Sequence, residues 1–322
     1  MTRTPIPLNG NETSLNHDRA GNATSFPVRP FINNPNQQDV TASARWDAYN
    51  LLFDIDPGGV NPQQDYRYDP FRRRIATMEL DDLEIMEGSR RYIYDGWSVV
   101  EERLFEPGVT LDEASSTLER INVNGMQIDE PLLTAIDRDQ DGELDGRNDK
   151  KMPVENADLE FYYLNNRLRS IMALNDADNA DHVMEFYRYS IYGEPFVLPV
   201  VDDDGDDLED TALSLSDNFN LRPRHSLGEF RNKYLYTARR FEGKTGIYYY
   251  RTRYFYTNFG RFIGRDSIGY IDGMNQYTYV TNRPLAFVDP FGTIRWRVNV
   301  STDYRREREG GTTGFGDSPL DV

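Results

Sequence analysis

Between Tyr234 and Gly292 polar and apolar positions alternate with the period of an extended strand, and the apolar positions are nearly all aromatic. Read as one strand, Tyr248, Tyr250, Tyr254 and Tyr256 share a face, with Tyr249, Arg251, Arg253 and Phe255 on the other. The turn-forming stretches Glu242–Gly246, Thr257–Gly260 and Asp272-Gly273 punctuate the pattern. It predicts short strands carrying aromatics on both faces, and tyrosine at this density suits sheets that stay wet on one side, where the hydroxyls find partners. Upstream, an aromatic or His residue repeatedly precedes an Asp, Asn or Gly turn: His17-Asp18, Trp46-Asp47, Tyr68-Asp69, Tyr94-Asp95 and, later, Tyr187–Gly193. The first four units lie roughly 20–30 residues apart, the spacing of a stacked repeat architecture. A lone hairpin cannot bury its aromatic face, but stacked neighbours can.

Two segments interrupt the repeat. Thr110-Leu111-Asp112-Glu113 has capping-box spacing and predicts a short helix to about Arg120. Asp202–Asp210 is a nearly unbroken acidic run and predicts a solvated loop.

Charge narrows the partners. The 322-residue chain has a formal net charge of −18, which opposes nucleic-acid binding by its body. It has no cysteine, so disulfide and thiolate chemistry are excluded. The N-terminus lacks the apolar region of a classical signal peptide, and the longest apolar run, Phe196–Val201, is too short for a membrane span. The expectation is a soluble chain.

The segment Thr245–Tyr256, then Gly260-Arg261-Phe262-Ile263, Asp266-Ser267-Ile268-Gly269, Asn275–Tyr279, Asn282-Arg283-Pro284 and Asp289-Pro290-Phe291-Gly292, closely resembles the core block of RHS-repeat, or YD-repeat, proteins. The upstream aromatic-Asp units resemble that family's repeats. The resemblance implies an all-β fold whose YD-repeat hairpins form a spiralling sheet shell. It divides the chain into a mostly irregular segment (1–40), repeats with acidic insertions (41–230), the repeat-associated core (231–292) and a short variable tail (293–322). The function implied is a shell or cell-surface scaffold, of the wall-associated or polymorphic-toxin-carrier type, that holds or presents the tail. A self-cleaving aspartyl-protease-like core is the alternative, and a degenerate fragment of a longer toxin-delivery protein the third reading. Members are usually secreted or at the cell surface. The few repeats present predict a partial sheet with open edges, hence self-association or a separately encoded RHS partner. The thirty residues after Gly292 are too few to build a toxin active site.

Two constellations carry candidate chemistry. Family members commonly cleave themselves after the second of two aspartate turns, which here are Asp266 and Asp289, with the cut near Thr293. Two carboxyls held close cannot both ionise, so one keeps a proton and the other activates water. Arg265 is the expected guanidinium, pairing Asp266 or holding the scissile carbonyl. Ser267 departs from the family's proline, and Thr293 from its large apolar residue; the bland reading is that both aspartates only cap turns. Separately, Asp137, Asp139 and Asp141 followed by Gly142 reproduce the opening of a calcium loop, with Asp145 as a further donor. Asn148 stands where the bidentate glutamate belongs, so an acidic turn without metal is the alternative. No cofactor is required by either reading. His17, His182 and His225 lie too far apart to suggest a triad. The arginines interleaved among the tyrosines read as packing against aromatic faces.

Overall fold

The structure, a computed structural model, describes residues 15–28, 40–56, 63–81, 84–85, 88–108, 115–137, 141–142, 144, 158–177, 183–199, 232–243 and 245–298. The repeats form a 15-stranded antiparallel sheet. Its strands are β1 (Asn16–His17), β2 (Ala23–Val28), β3 (Val40–Trp46), β4 (Leu52–Asp56), β5 (Gln63–Tyr68), β6 (Arg74–Asp81), β7 (Glu84–Ile85) and β8 (Arg90–Asp95). They continue as β9 (Ser98–Phe105), β10 (Ser116–Asn124), β11 (Pro131–Ile136), β12 (Leu159–Asn165), β13 (Ile171–Asp176), β14 (Val183–Tyr189) and β15 (Pro195–Pro199). Neighbours pair in chain order, with β7 a side branch on β6. The all-β expectation holds, with one correction. Residues 116–120, expected to end a helix, open β10, while Thr110–Glu113 lies outside the described residues. Thr117 and Ile121 are good strand formers with cross-strand partners on β9, and this pairing overrides the local capping signal.

The aromatic-Asp units are the tight turns. Asp18, Asp47 and Asp69 each turn their own side chain back on the chain, so that Oδ1 accepts the amide four residues on at 2.8, 2.8 and 2.9 Å. Asn166 and Ser190 do the same for Ser170 and Glu194, both at 3.0 Å. The fourth residue of each turn sits at positive φ, from Gly21 at 89° to Asn50 at 59°. Because the strands run in order and antiparallel, connections alternate between two rims. The tight turns therefore collect on one rim and the longer connections on the other. The sheet ends at β1 and β15, and among the described residues neither pairs with a further strand. β1 is two residues long and β15 begins and ends in proline, both ways of blunting an edge.

The core block folds separately into β16 (Arg240–Glu242), β17 (Ile247–Tyr250), β18 (Arg253–Tyr256) and β19 (Arg261–Phe262), a four-stranded sheet. A two-stranded ribbon of β20 (Phe287–Val288) and β21 (Trp296–Arg297) follows. The stretch read as one strand is a hairpin. Arg251 at φ 61° and the Thr252 amide, 2.7 Å from the Tyr250 carbonyl, reverse the chain and so reshuffle the faces. Tyr248, Tyr250 and Phe255 pack with Phe161, Leu174 and Tyr187 of β12–β14. Tyr249, Tyr254 and Tyr256 pack with Phe26, Ile55 and Tyr66 of β2–β5. One hairpin thus joins both halves of the long sheet, which wraps around it. This corrects the expectation of a sheet wet on one side: β17 and β18 are buried throughout. The hydroxyls find protein partners instead, Tyr248 on the Gly193 carbonyl at 2.9 Å, Tyr68 on Tyr254 at 2.8 Å and Tyr250 on Thr237 at 2.8 Å.

Between the two apolar clusters runs a buried ionic seam. Inward-facing Arg74, Arg90, Glu102 and Glu119 of β6–β10 meet Lys233, Arg240 and Glu242 of the core block. Arg74 also lies 4.5 Å from the Tyr249 ring centroid, as the packing reading of the arginines expects. Among the described residues no helix is long and apolar enough to cross a membrane.

Candidate functional site

The tight-turn rim is where the core block docks. Tyr277 donates to the Gly21 carbonyl at 2.6 Å, Tyr249 to Arg72 at 3.4 Å, and Thr237 N to Ser170 Oγ at 3.0 Å. This docking brings together two turns that are 23 residues apart in the chain. Asp266 closes its turn by accepting the Ile268 amide on Oδ1 at 3.0 Å and, through its carbonyl, the Gly269 amide at 3.1 Å. Gly269, at φ 72°, supplies the left-handed position, so the turn closes with Ser267 in the proline's place. Asp289 forms the second turn and accepts the Thr293 amide on Oδ1 at 2.9 Å.

Both carboxylates face a single guanidinium. Arg253 Nη2 lies 3.0 Å from Asp266 Oδ2 and 3.4 Å from Asp289 Oδ2, and all three side chains are nearly sealed from solvent. The rest of that guanidinium is equally committed. Arg253 Nε donates to the Gly292 carbonyl, Nη1 donates to the Gln276 carbonyl at 2.8 Å, and the group stacks 3.6 Å from the Phe262 ring centroid. Thr252 Oγ1, with one proton to donate, lies 2.7 Å from the Phe291 carbonyl and 3.1 Å from the Gly292 carbonyl.

The Gly292–Thr293 peptide is therefore held at both ends. Its oxygen accepts from Arg253, with the Thr252 hydroxyl within reach at 3.1 Å, and its N–H donates to Asp289. Burial pushes the Asp289 carboxyl up to about 6, with the Asp266 charge adding to the rise and Arg253 and the turn amides opposing it. Burial likewise raises Asp266 from its ordinary value, opposed by Arg253 and the Ile268 amide. One proton shared across such a pair leaves one acid and one base at mildly acidic pH. Asp266 also lines a cleft of about 200 Å³ with Gly269, Asp272 and Gln276.

Arg265 does not take the place expected of it. Its exposed guanidinium reaches Gln276 Oε1 at 2.6 Å and the Ala20 carbonyl at 3.1 Å, tying the core block to the first tight turn. The contacts expected of it, to Asp266 and to the carbonyl before Thr293, are made by Arg253. That residue and Thr252 were masked in the sequence by the single-strand reading, and the signal that would have found them is the polar Arg251–Arg253 triplet dividing two aromatic runs. Beyond the site, Arg239 and Arg251 grip the Pro290 carbonyl from the other side of the turn.

Gly292 is required here. It sits at φ 70°, and a Cβ on it would come within 2.6 Å of the Tyr250 backbone oxygen. Gly292→Ala is expected to push the peptide off Arg253 and Thr252 and to slow any cleavage at least tenfold, read as the rate of fragment appearance; unchanged kinetics would show that this backbone fit is unimportant.

The calcium loop is only partly in view. Asp137 is buried and its Oδ2 accepts the Gly142 amide at 2.8 Å, while Asp141 is exposed. Asp139 and Asp145 lie outside the described residues, among which no group of three candidate ligands converges. The acidic run Asp202–Asp210 also lies outside them.

Comparison with known proteins places the fold. No family model matches the chain. The toxin subunit YenC2 of Yersinia entomophaga is 43% identical over 61 residues, 18% of this chain and 6% of that protein. The tRNA3(Ser)-specific nuclease WapA of Bacillus spizizenii is 23% identical over 293 residues, 89% of this chain. Among solved structures, TcdB2-TccC3 without its hypervariable C-terminal region superposes with a TM-score of 0.51 at 16% identity, over 91% of this chain and 14% of that one. The chain thus spans under a tenth of the curated relatives and about a seventh of the solved chain. At that identity the structural match shows a shared fold.

Proposed function

We propose that this chain is the closing segment of an RHS-type, toxin-associated shell, and that its core block cuts its own backbone between Gly292 and Thr293. The observation that carries the reading is the Gly292–Thr293 peptide, whose carbonyl rests on Arg253, with Thr252 within reach, while its amide rests on Asp289. The likeness to a toxin subunit and to a protein with a hypervariable C-terminal region supports the scaffold half of the proposal.

In this reading Asp266 takes a proton from water, and the water oxygen bonds to the Gly292 carbonyl carbon. Arg253 and Thr252 stabilise the negative charge that gathers on the carbonyl oxygen. Protonated Asp289 delivers its proton to the Thr293 nitrogen as the C–N bond breaks. The products are a chain ending in the Gly292 carboxylate and a tail beginning with the Thr293 amine. Partners would add at the ends of the sheet, β1 and β15.

The tail stays docked after the cut. β21 remains paired with β20, the Val298 amide donates to the Ala286 carbonyl at 3.1 Å, and Arg295 Nη1 holds the Asp272 carbonyl at 3.0 Å. The test is two measurements on one sample. Denaturing mass spectrometry is expected to show a fragment beginning at Thr293, while native mass spectrometry shows both pieces together. An uncut wild-type mass after prolonged incubation at mildly acidic pH would sink the cleavage reading and leave the scaffold.

A further inference from the structure

A second pocket opens on the tight-turn rim, between the turns at 69–73, 95–98 and 125–130. It is a cavity of about 60 Å³, and Arg73, Arg74, Arg239, Arg240 and Arg251 line it with Asp129 as the only carboxylate. In a chain of net charge −18 this concentration of guanidinium runs against the overall balance. Four of the arginines are buried, and water cannot pay their desolvation.

Three of the five are paired behind the pocket, Arg73 with Asp69, Arg74 with Glu242 and Arg240 with Glu102, which leaves Asp129 to serve the other two. Asp129 Oδ1 serves both Arg239 and Arg251, so one negative charge sits between two guanidiniums. Arg239 is held well below its ordinary range by burial and by the charge of Arg251, and Arg251 is pushed down to about 10, chiefly by burial. The buried Nε atoms of Arg74 and Arg251 have no hydrogen-bond acceptor among the described residues. Tyr94 and Trp97 form part of the wall near the mouth, beside the partly exposed Ser98 and Asn124. Five guanidiniums around a small cavity, two of them sharing its one lining carboxylate, match the several oxygens and double charge of a tetrahedral anion better than they match a single carboxylate.

We infer that this pocket is a binding site for a small dianionic phosphate, free or as a monoester. The inference rests on the fold and on these residues, and does not depend on the cleavage reading.

The test is calorimetry and thermal melting of the full chain at constant ionic strength. Phosphate and glycerol 3-phosphate are titrated against chloride, with acetate as the carboxylate arm. Saturable one-site binding of phosphate, with a rise in melting temperature that chloride does not produce, is the expected result. Tighter binding of glycerol 3-phosphate would assign the monoester, and tighter binding of phosphate the free anion. Ser98→Asp puts a carboxylate at the mouth without removing a buried arginine. It should weaken phosphate at least tenfold while melting no lower than wild type. Asn124→Asp, on the neighbouring wall, should act in the same direction and guards against a folding defect in the first variant. No saturable phosphate binding, acetate binding as tightly as phosphate, or both variants binding phosphate like wild type would overturn the site.

Discussion

An Asp289→Asn chain is expected to stay whole under conditions where wild type is cut, with the rate lowered by about 10²–10⁴-fold, the span of a general acid–base contribution. The asparagine keeps an oxygen for the Thr293 amide but has no proton of the right acidity to give the leaving nitrogen. Folding should not suffer. The Asp289 carboxyl is raised to about 6, so the folded state favours its neutral form. Its contribution to stability is fully present below the unfolded pKa and is lost as pH rises through 6, so at neutral pH the neutral asparagine should melt no lower than wild type. The same shift sets the pH profile. The acid must be protonated and Asp266 ionised, so cleavage peaks on the acidic side of pH 6 and falls about tenfold per unit above it. Fragment yield across pH 4–8, measured for both chains, checks this. Cleavage rising steadily to pH 8, or equal in the variant, would remove Asp289 from the reaction.

Glu102→Gln is expected to lower unfolding free energy by about 3–5 kcal/mol, the cost of stripping one partner from a buried ion pair. Glu102 is fully buried on β9, where Oε1 accepts from Arg240 Nη1 at 2.8 Å and Oε2 from Lys233 Nζ at 3.1 Å. A neutral amide would leave Arg240 facing Arg90 and Lys233, whose ammonium burial and the charge of Arg90 already push down to about 7, with Glu119 and Glu242 between them. The neighbouring Glu101→Gln is the contrast, since Glu101 is about a third exposed and pairs with an equally exposed Arg103. That change should stay within about 0.5 kcal/mol. Urea unfolding of the two variants separates them, and equal midpoints would show that the seam contributes little. Arg240 and Lys233 also hold the Glu102 carboxyl well below the usual range against the cost of burial. Its contribution is therefore present above the unfolded carboxylate pKa and lost as pH falls through the folded value, which makes the seam acid-sensitive.

Much of the scaffold was legible because strand chemistry is local. Asp18, Asp47 and Asp69 cap their own turns with their own side chains, so the residue types that form each turn lie within five positions of one another. Glu102 shows where that locality ends. The run Glu101-Glu102-Arg103 reads as surface, and only the Lys233 and Arg240 side chains arriving from the core block make it interior. The hairpin at Arg251-Thr252 was missed for a related reason. Alternation continues through it, and the positive φ of Arg251 is held by the turn and its surroundings, not announced by a glycine.

The sequence by itself determined an aromatic, antiparallel repeat sheet with self-capped turns, and it singled out Asp266 and Asp289 as residues to watch. Only tertiary structure decided that these two carboxyls meet on Arg253 and that Arg265 turns away to the first tight turn. The physical reason is range. A turn or a strand is set by neighbours along the chain, but burial and charge pairing are set by whatever the folded sheet brings against them, and that depends on the long sheet wrapping the core hairpin.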